Sequence, residues 1–179
     1  MKLRSVSLVS AFLAAVLFTL AHTGVARASD KPIQLALFDP AQIVKNDQAI
    51  TGLRIDLIYG KNAGMTGLEI GLVNHTTGDQ SGFTYGVVSM VEGEFTGWQN
   101  NVVCIADKRF LGLQSGAVNM SKDGHGVQFG FVNVTDRMSG LQLGFVNYTK
   151  VMDKGLQIGI GNIITEGGIP FLPIVNWRF

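Results

Sequence analysis

Beyond residue 28 the chain carries two histidines, His75 and His125, and one cysteine, Cys104. Nucleophilic catalysis needs a nucleophile held against a base that a third group orients. The two histidines lie in separate predicted turns, more than one repeat apart, and read as solvated turn residues. Cys104 falls where a repeat elsewhere places Asn, so it reads as a degenerate repeat position, and a lone cysteine excludes an intrachain disulfide and a Cys-based zinc site. The acids Asp79, Glu94, Asp123 and Glu166 fall in predicted turns. Asp-Gly turns can hold calcium, but the Gly-Gly-x-Gly-x-Asp pattern is absent, and ordinary turn chemistry accounts for them. Gly155, Gly159 and Gly161 form a glycine cluster without the following helix a nucleotide phosphate needs, and Gly60-Lys61-Asn62-Ala63-Gly64 lacks phosphate-loop spacing. Asn74, Asn119, Asn133 and Asn147 open Asn-x-Ser/Thr sequons that arise from the repeat itself. The expectation is therefore no catalytic residue, no cofactor-binding residue, no metal ligand and no enzyme activity.

What must position any site is a repeat. Gly recurs at 52, 67, 82, 97, 112, 126, 140 and 155, in steps of 15 residues with two of 14. Each opens an eight-residue phrase, seen most cleanly as GLEIGLVN from Gly67, GVQFGFVN from Gly126, GLQLGFVN from Gly140 and GLQIGIGN from Gly155. Gln holds the third position at 99, 114, 128, 142 and 157, a second Gly holds the fifth in six of eight copies, and Asn closes the phrase at 74, 119, 133, 147 and 162. The phrase alternates bulky apolar residues with Gly and Gln, which is strand periodicity, and its glycines would weaken a helix. Asn100 and Ser115 interrupt the apolar fourth position. With a strand over residues 33–38 and a last one ending Pro173-Ile174-Val175-Asn176, about ten strands are predicted.

These phrases resemble a group of bacterial secreted proteins built from Gly-Leu-Gln-x-Gly-Leu-Val-Asn units and ending in a Pro-x-x-Asn-Trp-x-Phe tail. The resemblance covers residues 52–179. It implies a repeat class and export, and it implies no activity or site residue.

The first 28 residues read as a signal peptide. Lys2 and Arg4 precede an apolar run over residues 6–21, and Ala26-Arg27-Ala28 has the form a signal peptidase cuts. Residues 29–51 form an N-terminal strand and connection, and residues 52–179 the β-repeat domain. Cleavage would leave 11 of the 14 basic side chains against all 13 acids. That balance removes the electrostatic case for nucleic acid.

Two architectures satisfy the pattern. The leading expectation is an all-β antiparallel barrel of about ten strands in the outer membrane, with a structural or limited-permeability role. Phe171, Pro173, Val175, Trp177 and Phe179 alternate to the chain end, like the terminal strand of such barrels. Its Leu/Ile/Phe face would meet lipid. Aligning the last phrase with the repeat instead puts Leu172 and Ile174 on that face, a clash of parity that a bulge would reconcile. The alternative is a parallel β-solenoid acting as a surface or periplasmic, adhesin-like binding protein, which the constant spacing favours. There the apolar positions are expected to form an interior ladder and the Asn a hydrogen-bonded corner ladder.

Overall fold

A computed structural model describes residues 31–179; the signal-peptide reading lies outside them. The elements are β1 (Lys31–Phe38), β2 (Ala41–Gln42), β3 (Ala49–Asn62), β4 (Gly64–Thr76), β5 (Gln80–Val91), β6 (Phe95–Ser115), β7 (Val118–Phe129), β8 (Val132–Leu143), β9 (Val146–Glu166) and β10 (Phe171–Arg178). From β1 and β3 through β9 each strand pairs in parallel with its neighbour. Among the described residues only β1 with β2, and β9 with β10, pair antiparallel. The fold is therefore a parallel β-solenoid with one repeat per coil, and the antiparallel barrel is corrected. In an antiparallel barrel each phrase would lie against its own reverse. Here it lies on its own copy: Gly67 on Gly52, Leu141 on Val127, Asn147 on Asn133.

The chain closes a coil by bending at three places. One is the polar turn after the tenth position. The second is the glycine at the fifth position, where β7, β8 and β9 follow breaks at Gly116, Gly130 and Gly144. The third is the opening glycine, whose φ lies between +127° and +159° in all eight copies. That backbone is closed to L side chains for a steric reason. A Cβ on Gly126 would stand 2.1 Å from the carbonyl oxygen of Gly112 in the coil before. The opening glycines set the closeness of successive coils, and so the register of everything between them.

The burial pattern inverts the one expected for a solenoid. The third and eighth positions point inward: Gln99, Gln114, Gln128, Gln142 and Gln157 are fully buried, as are Asn119, Asn133, Asn147 and Asn162. The Leu/Ile/Phe positions point outward, among them Leu72, Phe129, Phe131, Phe145 and Ile160. The Asn ladder is present as expected, and the interior apolar ladder of the phrase is corrected. An apolar core exists only toward the polar-turn side. There the tenth position meets the residue two or three before the opening glycine, as in the clusters Val91–Phe95–Ala106–Phe110 and Met138–Met152–Ile164.

The ends close differently. At the N-terminal end β2 folds back on β1, and Val44 packs with Ile50 and Met65. At the C-terminal end β10 reverses direction. Its register with β9 shifts between Leu172 and Ile174, and Ile174 has φ +71°. This irregularity resolves the parity clash: Phe171, Ile174 and Trp177 all face out while Asn176 is buried, donating to the carbonyls of Asn162 and Ile169.

Gly126→Ala is expected to cost about 3 kcal/mol or more and to lower Tm by about 10 °C, because the added Cβ must displace a neighbouring backbone. Gly161→Ala, where a Cβ meets nothing nearer than Phe171 at 3.7 Å, is the control and should melt near wild type. Equal melting of the two by circular dichroism would refute the steric account.

Candidate functional site

The interior is built first from amides. Gln114 Nε2 donates to Gln99 Oε1, Gln128 to Gln114, Gln142 to Gln128 and Gln157 to Gln142, each at 2.7–2.8 Å. The Asn row runs the opposite way: Asn119 donates to Asn133, Asn133 to Asn147 and Asn147 to Asn162, each at 2.8 Å. Second amide hydrogens reach backbone carbonyls, as Asn133 Nδ2 to Leu143 at 3.0 Å. Thr135 and Thr149 hydroxyls donate to Gln128 and Gln142. A buried amide is costly unless it is paired, and stacking like on like supplies each with its neighbour. The ladders end where like no longer follows like: Gln157 Oε1 has no following Gln, and Asn119 Oδ1 follows Cys104 rather than an Asn, and both lack a donor.

With amides inside, the strand's alternation turns its apolar rows outward. Take the first nine positions of the seven coils opening at Gly67, 82, 97, 112, 126, 140 and 155. They contain one Asp, Glu, Lys or Arg, which is the fully buried Glu69. The exposed charges, such as Glu92, Lys122, Arg137 and Lys150, lie on the polar-turn edge. More than half of each coil is thus an uncharged apolar arc that spans two faces and the glycine corner between them. An exposed apolar surface of this extent marks an interaction site.

At the glycine corner the arc is grooved. The fifth-position glycines give the floor, the fourth and sixth positions the walls, and the trough has a volume of about 1020 Å³. Phe131 and Phe145 stack along one wall, ring centroids 5.2 Å apart and planes 8° apart. Phe129, Leu143 and Ile158 form the other. Toward the N-terminal coils the trough turns polar. Asn100 and Ser115, which interrupt the apolar fourth position, bond to each other at 3.1 Å, and Trp98 Nε1 donates to Ser115 Oγ at 2.8 Å. Asn101 replaces a floor glycine, but its side chain turns into the coil and donates to the buried Thr84 Oγ1 at 2.7 Å.

The N-terminal coils hold a different interior. Arg54, Asp56 and Glu69 occupy third and fifth positions and are buried. Arg54 Nε donates to Asp56 at 2.8 Å, the Arg54 guanidinium pairs with Glu69, and Gln80 Nε2 donates to Glu69 Oε2 at 2.6 Å. One cation cannot neutralise two carboxylates. Burial pushes both carboxyl groups above their ordinary range, against the opposing pull of Arg54. This cluster was missed by motif reading, although its signal was present: charged residues at positions where later coils carry Gln and Gly.

The residues singled out from the sequence are dispersed. His75 lies in β4 and His125 in β7, so their turn assignment is corrected. His75 bonds Tyr59 Oη through Nδ1 and Glu92 Oε1 through Nε2, both at 2.8 Å. This line of three has the outline of a catalytic relay, but burial raises the Tyr59 phenol above its ordinary value, which opposes activation as a nucleophile. His125 pairs with Asp123 at 3.2 Å, in strand rather than turn, and Glu166 also lies in a strand. Asp79 and Glu94 are in turns. Cys104 is buried in the Asn row, its thiol directed at the carbonyls of Gln99 and Asn101, and burial pushes its pKa up to about 11. Among the described residues no three of His, Cys, Asp and Glu gather as a metal site. No family, curated protein or solved structure matches the chain.

Two outcomes test this interior. A carboxyl group whose folded pKa is raised contributes stability below its unfolded value, near 4.5 for Glu69, that is lost as pH rises through the folded value. Glu69→Gln, which also restores the repeat's third residue, should therefore melt higher than wild type at pH 7.5 and lose that advantage at pH 4.5. A constant difference across that range would remove the charge explanation. Cys104 should stay unreactive toward an aromatic disulfide at neutral pH until denaturant opens the coils. Rapid labelling of the native chain would show that the thiol is accessible.

Proposed function

We propose that this chain is an exported, non-enzymatic β-solenoid that acts by binding, and that its uncharged apolar arc is the surface that associates with the outer membrane. The observation that carries this reading is the confinement of exposed charge to one edge of seven successive coils. A rigid, flat partner covers one face of such an arc. Fluid hydrocarbon covers both faces and the corner at once, which is why a membrane fits better than a second protein. The aromatic residues at the corner, Tyr85, Phe129, Phe131 and Phe145, are exposed and would enter first. The amide ladders hold them on a stiff frame, so little ordering is lost on contact. Exported localisation rests on the basic and apolar features of residues 1–28 and on the resemblance of the repeats to secreted proteins.

The mature chain should float with neutral phosphatidylcholine vesicles, with little dependence on salt, since no cationic patch drives the contact. The double substitution Phe131→Glu and Phe145→Glu should weaken flotation by at least about thirtyfold, from the apolar area removed. Both side chains are exposed, so the fold should be kept and its circular dichroism unchanged. A wild-type chain that stays with the buffer, or flotation that the double variant retains, would discard the reading.

A further inference from the structure

Two outward rows, the second and fourth positions of each coil, share the strip between the two glycine corners. In most coils the second position is Leu or Val and the fourth is Ile, Leu or Phe. Three successive coils depart from this. Phe83 and Trp98 hold the second position in the coils opening at Gly82 and Gly97, and Tyr85, Asn100 and Ser115 hold the fourth in those opening at Gly82, Gly97 and Gly112. Register gathers the five into one patch: Phe83 pairs with Trp98 and Tyr85 with Asn100, and Ser115 Oγ donates to Asn100 Oδ1 at 3.1 Å. We infer that this patch is a platform for a neutral, β-1,4-linked polysaccharide chain lying along the solenoid axis, stacked on the Trp98 indole and hydrogen-bonded by the row Tyr85, Asn100 and Ser115.

The indole is held at two points. Its Nε1 donates to Ser115 Oγ in the next coil at 2.8 Å, and Phe83 meets it edge to face, centroids 5.0 Å apart and planes 72° apart. So pinned, Trp98 is still 43% exposed. With its N–H already paired, the ring offers a ligand an apolar plane, and a fixed plane loses little rotamer freedom on contact. The polar row selects what lies on that plane. Asn100 Nδ2 and Tyr85 Oη take no part in the bonds within the patch, and Ser115 Oγ keeps one acceptor lone pair. A pyranose has the matching two-sided chemistry, a face of C–H groups and a rim of hydroxyls. A hydrocarbon tail would cover the amide and hydroxyl groups without pairing them. A charged sugar would find no counter-charge, because the first nine positions of these three coils hold no Lys, Arg, Asp or Glu. The polar groups recur once per coil, about 4.8 Å apart, close to the advance per ring of an extended β-1,4 chain. An α-1,4 chain curls and turns its C–H faces away from a flat sheet. Trp98 and Asn100 stand apart from the Phe131–Phe145 wall, so sugar binding and membrane association can fail separately.

The test is calorimetric titration of the mature chain with cellohexaose, cellobiose, maltohexaose and hexamannuronate, a β-1,4 chain with a carboxylate on every ring. Saturable binding of cellohexaose is expected, at least about tenfold tighter than each of the other three, since each loses stacked area or hydrogen bonds. Trp98→Leu and Asn100→Leu restore residue types of the repeat, so both variants should melt near wild type. Cellohexaose affinity should nevertheless fall at least about tenfold in Trp98→Leu and about threefold in Asn100→Leu. The double substitution Phe131→Glu and Phe145→Glu should leave that affinity unchanged. No binding of cellohexaose, maltohexaose or hexamannuronate binding as tightly, or affinity kept by Trp98→Leu would overturn the inference. If cellohexaose binds but the chain does not float with vesicles, the platform stands and the membrane reading falls. If no saccharide binds and Trp98→Leu instead abolishes flotation or self-association, the indole belongs to the membrane contact or to a second copy, and the platform falls.

Discussion

The structure depends on one interaction, the hydrogen bond from a buried side-chain amide to the identical amide one coil away. A primary amide has two donors and an accepting oxygen, so it can give to one neighbour, receive from the other and still reach a backbone carbonyl. Gln114 and Gln142 do so in one row, and Asn133 and Asn147 in the other, while Gln128 turns its second donor to the Ser121 hydroxyl. Amides could not be buried in a conventional strand sandwich without leaving polar atoms unpaired. They can be buried here because parallel in-register coils bring like onto like at a strand spacing of about 4.8 Å. The opening glycines protect that spacing, since any Cβ would strike the carbonyl of the coil beneath.

The outer surface follows from this interior. Once the polar half of the alternation is satisfied inside, the apolar half has only the outside left. The polar turns carry the charge because they are the positions where neither ladder nor wall is built. A narrow coil with two glycine bends leaves no room for a second apolar layer, so the hydrophobic positions that would make a core in a wider solenoid make an exposed apolar surface instead. The fifth position points inward, where a Cβ on Gly144 would meet the buried amides of Asn133 and Asn147, so the floor of the trough is backbone alone.

The departures from the repeat are as informative as its regular copies. In the first coils Arg54 and Glu69 stand where Gln would, and an ion cluster with Asp56 replaces the amide ladder at the cost of one excess buried acid. At mid-chain Cys104 interrupts the Asn row, which restarts at Asn119. Nearby, Asn100 and Ser115 put polar groups into a trough that is otherwise apolar, and Asn101 turns inward to the buried Thr84. Each change alters one row while leaving the glycine register intact, so the coil tolerates chemical variation at any position that does not set its spacing.

The period, the strand, the start of the repeat at Gly52 and the parity clash in the last strand were legible in the sequence, because spacing and alternation are properties of a chain read in one dimension. Which face of the strand is buried was not. Alternation is unchanged when inside and outside are exchanged, and ordinary hydrophobicity argues for the wrong choice, placing Leu143 and Phe145 inside and Gln142 outside. Only the tertiary stacking decides it, because the hydrogen-bond partner that makes a buried Gln stable lies 14 or 15 residues away, in the next coil. The trough has the same origin. Its walls come from the fourth and sixth positions of successive coils, and nothing along the chain says that those rows will stand side by side until the coils are in register.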